Sequence, residues 1–228
     1  MALDFAVGDF GWNAADAVGT TYTISGLSFQ PKALLFFING MESAVDAVSD
    51  TTSARMGRGF AVSITDRRCQ GFLSVDGAAA ADCQEIYRAD AVLATVSAAA
   101  VVDGLLDLDA ILSDGFRLVV DDAAPVNLRV FWAAWGGDGI SAATGEIAEP
   151  AAIGNQSYSV PGWVAGEQNN VVMLCGCQLT GAAPAAAAED AGFMFGAATG
   201  TGVGNQFVVA TNEDTGSATM DTDSYLRM

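Results

Sequence analysis

The sequence predicts an all-β protein: an antiparallel β-sandwich of jelly-roll type, followed by a partial second copy of the same pattern. Three observations carry this. Short runs rich in β-branched and aromatic residues recur between turn residues, with 26 glycines and only 5 prolines in 228 residues. The stretch Phe29–Gly40 holds six consecutive apolar residues, Ala33 to Ile38, between the turn residue Pro31 and the turn dipeptide Asn39-Gly40. A run that short, bounded by turn signals, reads as a strand buried on both faces. Finally, the pattern of the first half begins again after residue 154.

In chain order, Phe5, Val7, Phe10 and Trp12 mark an edge strand, and Asn13–Gly19 a loop. Thr20 to Leu27 alternates and is rich in β-formers, so a half-buried strand is expected there. A turn at Ser28–Pro31 leads into the buried strand. Residues 41–54 lack a period and read as an exposed loop. Gly57–Ile64 is a strand with Phe60, Val62 and Ile64 on one face, closed by Asp66-Arg67-Arg68. Gln70–Val75 is the next strand, and Gly77–Ala81 a small-residue loop. Cys83–Arg88 and Val92–Val96 read as two short strands or one bent one. Residues 97–113 fit a helix or a strand, and the β-rich context favours strand. Gly115–Val120 is a strong strand, Asp121–Pro125 its hairpin turn, and Asn127–Trp135 its partner. Gly136–Gly139 ends the unit. Trp132 and Trp135 are three apart, so a regular strand cannot bury both; one is exposed or lies beyond a bulge.

Three segments follow: a first unit over 1–137, a linker over 138–154 and an incomplete second unit over 155–228. Tyr22–Gly26 is echoed by Tyr158–Gly162, and Lys32–Phe37 by Asn170–Cys175. Gly59–Ser63 is echoed by Gly196–Gly200, Phe72–Asp76 by Phe207–Thr211, and Ile86–Arg88 by Tyr225–Arg227. The offset stays at about 135 to 139 residues. Nothing in the second copy matches Arg88–Trp135. An unfinished sheet leaves open edges, which invite another chain. Three explanations compete: a fragment of a longer protein, a second unit completed by the first unit or by a neighbouring subunit, or a lighter variant of the unit. Among these the expectation is a homo-oligomer, a trimer or a ring.

The net charge is −18, from 27 acids against 9 bases, and Lys32 is the single lysine. Such a chain cannot supply the basic stripe that neutralises nucleic-acid phosphates. An acidic membrane would repel it. Asp-rich, Lys-poor composition suits a saline, halophilic setting, where salt screens self-repulsion. Met1-Ala-Leu-Asp-Phe5 lacks a basic, then apolar, leader, so no signal peptide is expected and synthesis in the cytoplasm is. No apolar run reaches the ~20 residues of a membrane helix, so no membrane insertion is expected.

Catalytic, cofactor and metal residues are all expected to be none. With no histidine, neither a His-based triad nor a mixed Cys/His zinc site is possible. Cys69, Cys83, Cys175 and Cys177 lack knuckle spacing and read as free buried thiols. Asp107-x-Asp109 and Asp221-x-Asp223 each put two acids on one strand face, a pattern open to Ca²⁺ or glycosidase chemistry. With 27 acids such pairs arise freely. Arg67-Arg68 could grip an acidic partner but is more simply a local bridge to Asp66. Gly200-Thr-Gly-Val-Gly204 lacks the Lys-Ser/Thr ending of a phosphate loop and reads as a turn. Trp12, Trp132, Trp135 and Trp163, with Tyr22 and Tyr158, could stack on sugars, although aromatics in sandwiches mostly build core.

The set Gly26-Leu-Ser-Phe-Gln-Pro-Lys-Ala33, Gly59-Phe-Ala61, Tyr87-Arg88, Asp114-Gly-Phe-Arg-Leu118 and Phe131–Gly137 resembles a group of poorly characterised structural proteins of tailed viruses and prophages. The resemblance covers most of 20–137 and part of 155–228. It implies a non-enzymatic virion protein: a head spike, a head decoration or a tail-fibre component. Its expected partners are its own copies, other virion proteins and a host-surface glycan. The alternatives are a polysaccharide depolymerase using the Asp pairs and a free carbohydrate-binding module.

Overall fold

A computed structural model describes residues 3–40, 53–75, 82–147, 171–176, 185–188, 191–199, 206–213 and 222–227. Among them there are fifteen strands and no helix. The first ten are β1 (Asp4–Trp12), β2 (Thr21–Ile24), β3 (Pro31–Asn39), β4 (Ser53–Ala61), β5 (Arg67–Val75), β6 (Asp82–Arg88), β7 (Leu93–Val96), β8 (Val102–Leu112), β9 (Gly115–Asp122) and β10 (Leu128–Gly136). Then come β11 (Val172–Gly176), β12 (Ala185–Ala188), β13 (Ala191–Ala198), β14 (Gln206–Glu213) and β15 (Thr222–Arg227).

Two antiparallel sheets form the sandwich. One runs β1-β10-β3-β4-β5-β6-β12 and the other β2-β9-β8-β7. Alternation explains their packing, because side chains two apart share a face. Leu34, Phe36 and Ile38 of β3 and Leu128, Val130, Trp132 and Ala134 of β10 point inward. They meet Leu106, Leu108, Phe116, Leu118 and Val120 of the smaller sheet. Phe116 joins the layers: its ring stands edge-on to Phe36 at 5.7 Å and to Trp132 at 5.4 Å. Each such pair adds about 0.5–1.5 kcal/mol beyond area burial. Over β4 and β5 the sheets come closer still. A Cβ on Gly59 would lie 1.7 Å from the Val92 carbonyl oxygen, and one on Gly71 2.3 Å from that of Ala94. Glycine at both positions lets the chain around β7 sit directly on the larger sheet.

The second meander, β11-β13-β14-β15, repeats the strand order and register of β3-β4-β5-β6. Phe36 faces Gly59 across β3 and β4, and Leu174 faces Gly196 across β11 and β13. Cys69 faces both Gly59 and Arg88; Val208 faces both Gly196 and Arg227. Four of the five echoes lie on these strands. The match of Phe72 to Phe207 is displaced by four residues: in the observed register Phe72 corresponds to Thr211. Chemical likeness of the two phenylalanines misplaced it. Tyr158–Gly162 lies outside the described residues, as do residues 41–52, 77–81 and 148–154 of the expected loops and linker.

Several expectations are corrected. β9 and β10 are not a hairpin. β9 pairs with β2 and β8, whereas β10 pairs with β1 and β3. The two-residue connection Ser113-Asp114 closes β8 on β9 first, and residues 123–127 carry the chain across the sandwich. Both strands bury one face, and opposite sheets let those faces meet. β6 and β7 likewise belong to different sheets. β3 is not buried on both faces, because Phe37 is exposed. β4 starts at Ser53 and stops at Ala61, leaving Ile64 exposed. Val62 N and Asp66 O close that turn at 3.0 Å. β5 takes in Arg67 and Arg68. Residues 102–112 are strand, with register shifts that explain their mixed period. Trp132 is core, while Trp135 faces outward against Phe5 at 5.3 Å; the register shifts after Trp135.

Candidate functional site

The carboxylate pair is taken apart by the fold. Asp107 is buried, and its two oxygens accept from Nε and Nη2 of Arg67, the latter at 2.5 Å. Arg67 Nη2 also donates to Asp90 O at 2.8 Å. Burial pushes the Asp107 carboxyl up, against the pull of the guanidinium and the Leu108 amide. Asp109 is held by Arg117 instead. The register shift between Leu108 and Ala110 turns the two acids apart. Asp107 is closed to solvent ligands, Asp109 stands exposed beside Arg117, and the two do not share a site; no cluster of three metal-binding side chains exists among the described residues. Asp221 and the side chain of Asp223 lie outside the described residues, as do Cys177, Trp163 and Gly200–Gly204.

Arg68 does reach Asp66, at 3.9 Å, but Arg67 serves Asp107 rather than a local bridge. Arg88 clasps Asp90 with two bonds of 2.8 and 2.7 Å, which holds the Asp90 carboxyl below its usual range. Cys69 and Cys83 are buried and, with the half-buried Cys175, form no disulfide. Desolvation drives the Cys69 thiol far up, so it is no nucleophile. Trp12 and Trp132 are core rather than sugar platforms. Tyr22 donates to Asp16, which closes the Asn13–Gly19 loop; burial, then Asp16, pushes the phenol up to about 12. An open depression of about 450 Å³ is lined by Pro31, Lys32, Val62, Ile111 and Ile140 among others. Its charged group, Lys32, is spent on Gly137 O at 2.7 Å.

Two features that the sequence did not single out stand on the outer face of the large sheet. The first is a buried polar pin. Arg58 Nη2 and Nε donate to Gln70 Oε1 at 2.8 and 3.1 Å, and Gln70 Nε2 donates on to Gly176 O at 2.9 Å. The Arg58 guanidinium lies 3.6 Å over the Phe193 ring. Glu85, fully buried, accepts from Gly192 N at 3.1 Å. These contacts, with Phe72 against Phe193, clamp the second meander over β4–β6. Alternation in β4 and β5 placed Arg58 and Gln70 on one face, but nothing local said that this face would be covered.

The second feature is the remainder of that outer face. On β1, β10 and β3, the side chains of Phe5, Val7, Trp135, Ala133, Phe131, Leu35 and Phe37 lie side by side. Phe5, Val7, Phe131 and Phe37 are exposed. Asp9 and Arg129, the charged groups on this face, pair with each other. No described strand of this chain lies beyond β1. No protein-family model, curated protein or solved structure matches the chain.

Proposed function

We propose that this chain is a non-enzymatic structural protein of a virion surface, a head spike or decoration or a tail-fibre component, working as an oligomer that can touch the host surface. The observation that carries the assembly part is the apolar outer face of β1, β10 and β3, which a lone soluble chain gains nothing by exposing. The second meander adds Leu174 and Met194 on one face and Phe207 and Val209 on the other, all exposed. The virion part rests on the resemblance of Gly26–Ala33, Asp114–Leu118 and Phe131–Gly137 to tailed-virus structural proteins. The depolymerase alternative loses its best pair, since Asp107 and Asp109 are each engaged by a separate arginine. No helix among the described residues is long and apolar enough to cross a membrane.

Mass spectrometry of purified particles tests this. The chain is expected in fixed stoichiometry with the other particle proteins, and immunogold labelling then separates head from tail. Particles that lack it overturn the reading.

A further inference from the structure

We propose that the outer face of β1, β10 and β3 is an isologous interface, packed against the same face of a second copy about a two-fold axis; this rests on the oligomeric reading above and assigns its surface. Three observations select a second copy as occupant.

The first is area. Phe5, Val7, Phe131 and Phe37 are 53, 65, 38 and 36% exposed and share one face. Weighting about 150–200 Å² per side chain by these fractions gives roughly 350 Å² of apolar surface on each copy. Two copies together bury roughly 700 Å² of it, and Trp135, the Asp9–Arg129 pair and the rim carry the total toward the roughly 1,000 Å² that a specific interface needs.

The second is charge. Two chains of −18 repel wherever their acids face each other. Here Asp9 is neutralised by Arg129, so the face is electrically quiet. It is a place where two copies meet without opposing carboxylates, and it gives a basic partner nothing to pair with.

The third is the edge. β1 pairs with β10 over nine residues with no register shift, and it contains no lysine and no proline; its charges are Asp4 at its first residue and Asp9, held by Arg129. Bulges, charged side chains and prolines are how monomeric sheets blunt an edge, and Phe5–Gly8 has none of these. A two-fold stack over the adjoining face shields it.

The test is sedimentation equilibrium on the full chain in high salt. Val7→Lys and Phe131→Lys sit at the rim and the centre of the face, and Val101→Lys is an exposed control elsewhere. Each lysine removes one unit of repulsion, so a loss of association cannot be electrostatic. Both face variants are expected to weaken association by at least about tenfold, with an unchanged circular dichroism spectrum, while Val101→Lys behaves as wild type. If wild type associates and either face variant associates equally well, this interface is wrong although the oligomeric reading stands. A wild type that stays monomeric overturns both.

Discussion

Replacing Arg58 by methionine keeps the length of the stem and removes the guanidinium that clamps the second meander. The buried side chain makes two hydrogen bonds to Gln70 and one stacking contact on Phe193. A hydrogen bond to a charged group contributes about 1.5–3 kcal/mol, and a desolvated cation–π contact about 2 kcal/mol. The contacts are coupled and do not simply add, so a loss of about 3 kcal/mol is expected. For a chain of this size that lowers the melting temperature by about 6–12 °C. Loss of the guanidinium also frees the Gln70 amide, whose other end holds Gly176 O. Proteolysis should therefore reach the second meander before the sandwich. The assay is urea unfolding by circular dichroism, with a double-mutant cycle against Phe193→Leu. A coupling energy of about 1 kcal/mol is expected. A variant within about 0.5 kcal/mol of wild type, or zero coupling, would refute the clamp.

Gly59→Ala sets a Cβ into the Val92 carbonyl and is expected to cost more than about 3 kcal/mol, whereas Gly145→Ala, in open space, leaves the melting temperature unchanged. Arg67→Ala leaves Asp107 buried without its partner and should cost about 3–5 kcal/mol in urea unfolding at neutral pH. Because burial raises Asp107, that loss shrinks as pH falls and the carboxyl protonates. Calcium is expected to leave the melting temperature of wild type unchanged, since Asp107 and Asp109 are paired with separate arginines and do not share a site; a rise would return the pair to metal binding. Tyr22, pushed to about 12, makes the folded chain hold its proton longer than the unfolded one. Its contribution is complete below about pH 10 and fades between about 10 and 12. Absorbance titration should show a late phenol that Tyr22→Phe removes.

Strand content was legible because turn residues and alternation are local signals. The strands around Phe36, Phe116 and Trp132 follow from them directly. Partnership was not legible. Gly115–Val120 and Asn127–Trp135 look like a hairpin in sequence, yet they face each other across the core, because both edges of β9 are taken by β8 and β2 and both edges of β10 by β1 and β3. Parity showed that Trp132 and Trp135 cannot both be core, without saying which of them faces outward. It did not reveal that the second meander covers the face over β4–β6, while no described strand covers the one over β1, β10 and β3. Asp107 and Asp109 do not share a face for a similar reason: a bulge reverses the parity on which shared-face reasoning rests. Arg58 and Gln70 passed unnoticed because a buried charge is recognisable only once its cover is known.

The proposed assembly joins copies of this chain through apolar surface on an otherwise acidic molecule. Sedimentation velocity of the wild-type chain, across protein concentration at low and at molar salt, tests it most directly. The account predicts a mass of at least two chains that grows with concentration and strengthens as salt screens the −18 charge. A single monomeric boundary at every concentration and salt would contradict it.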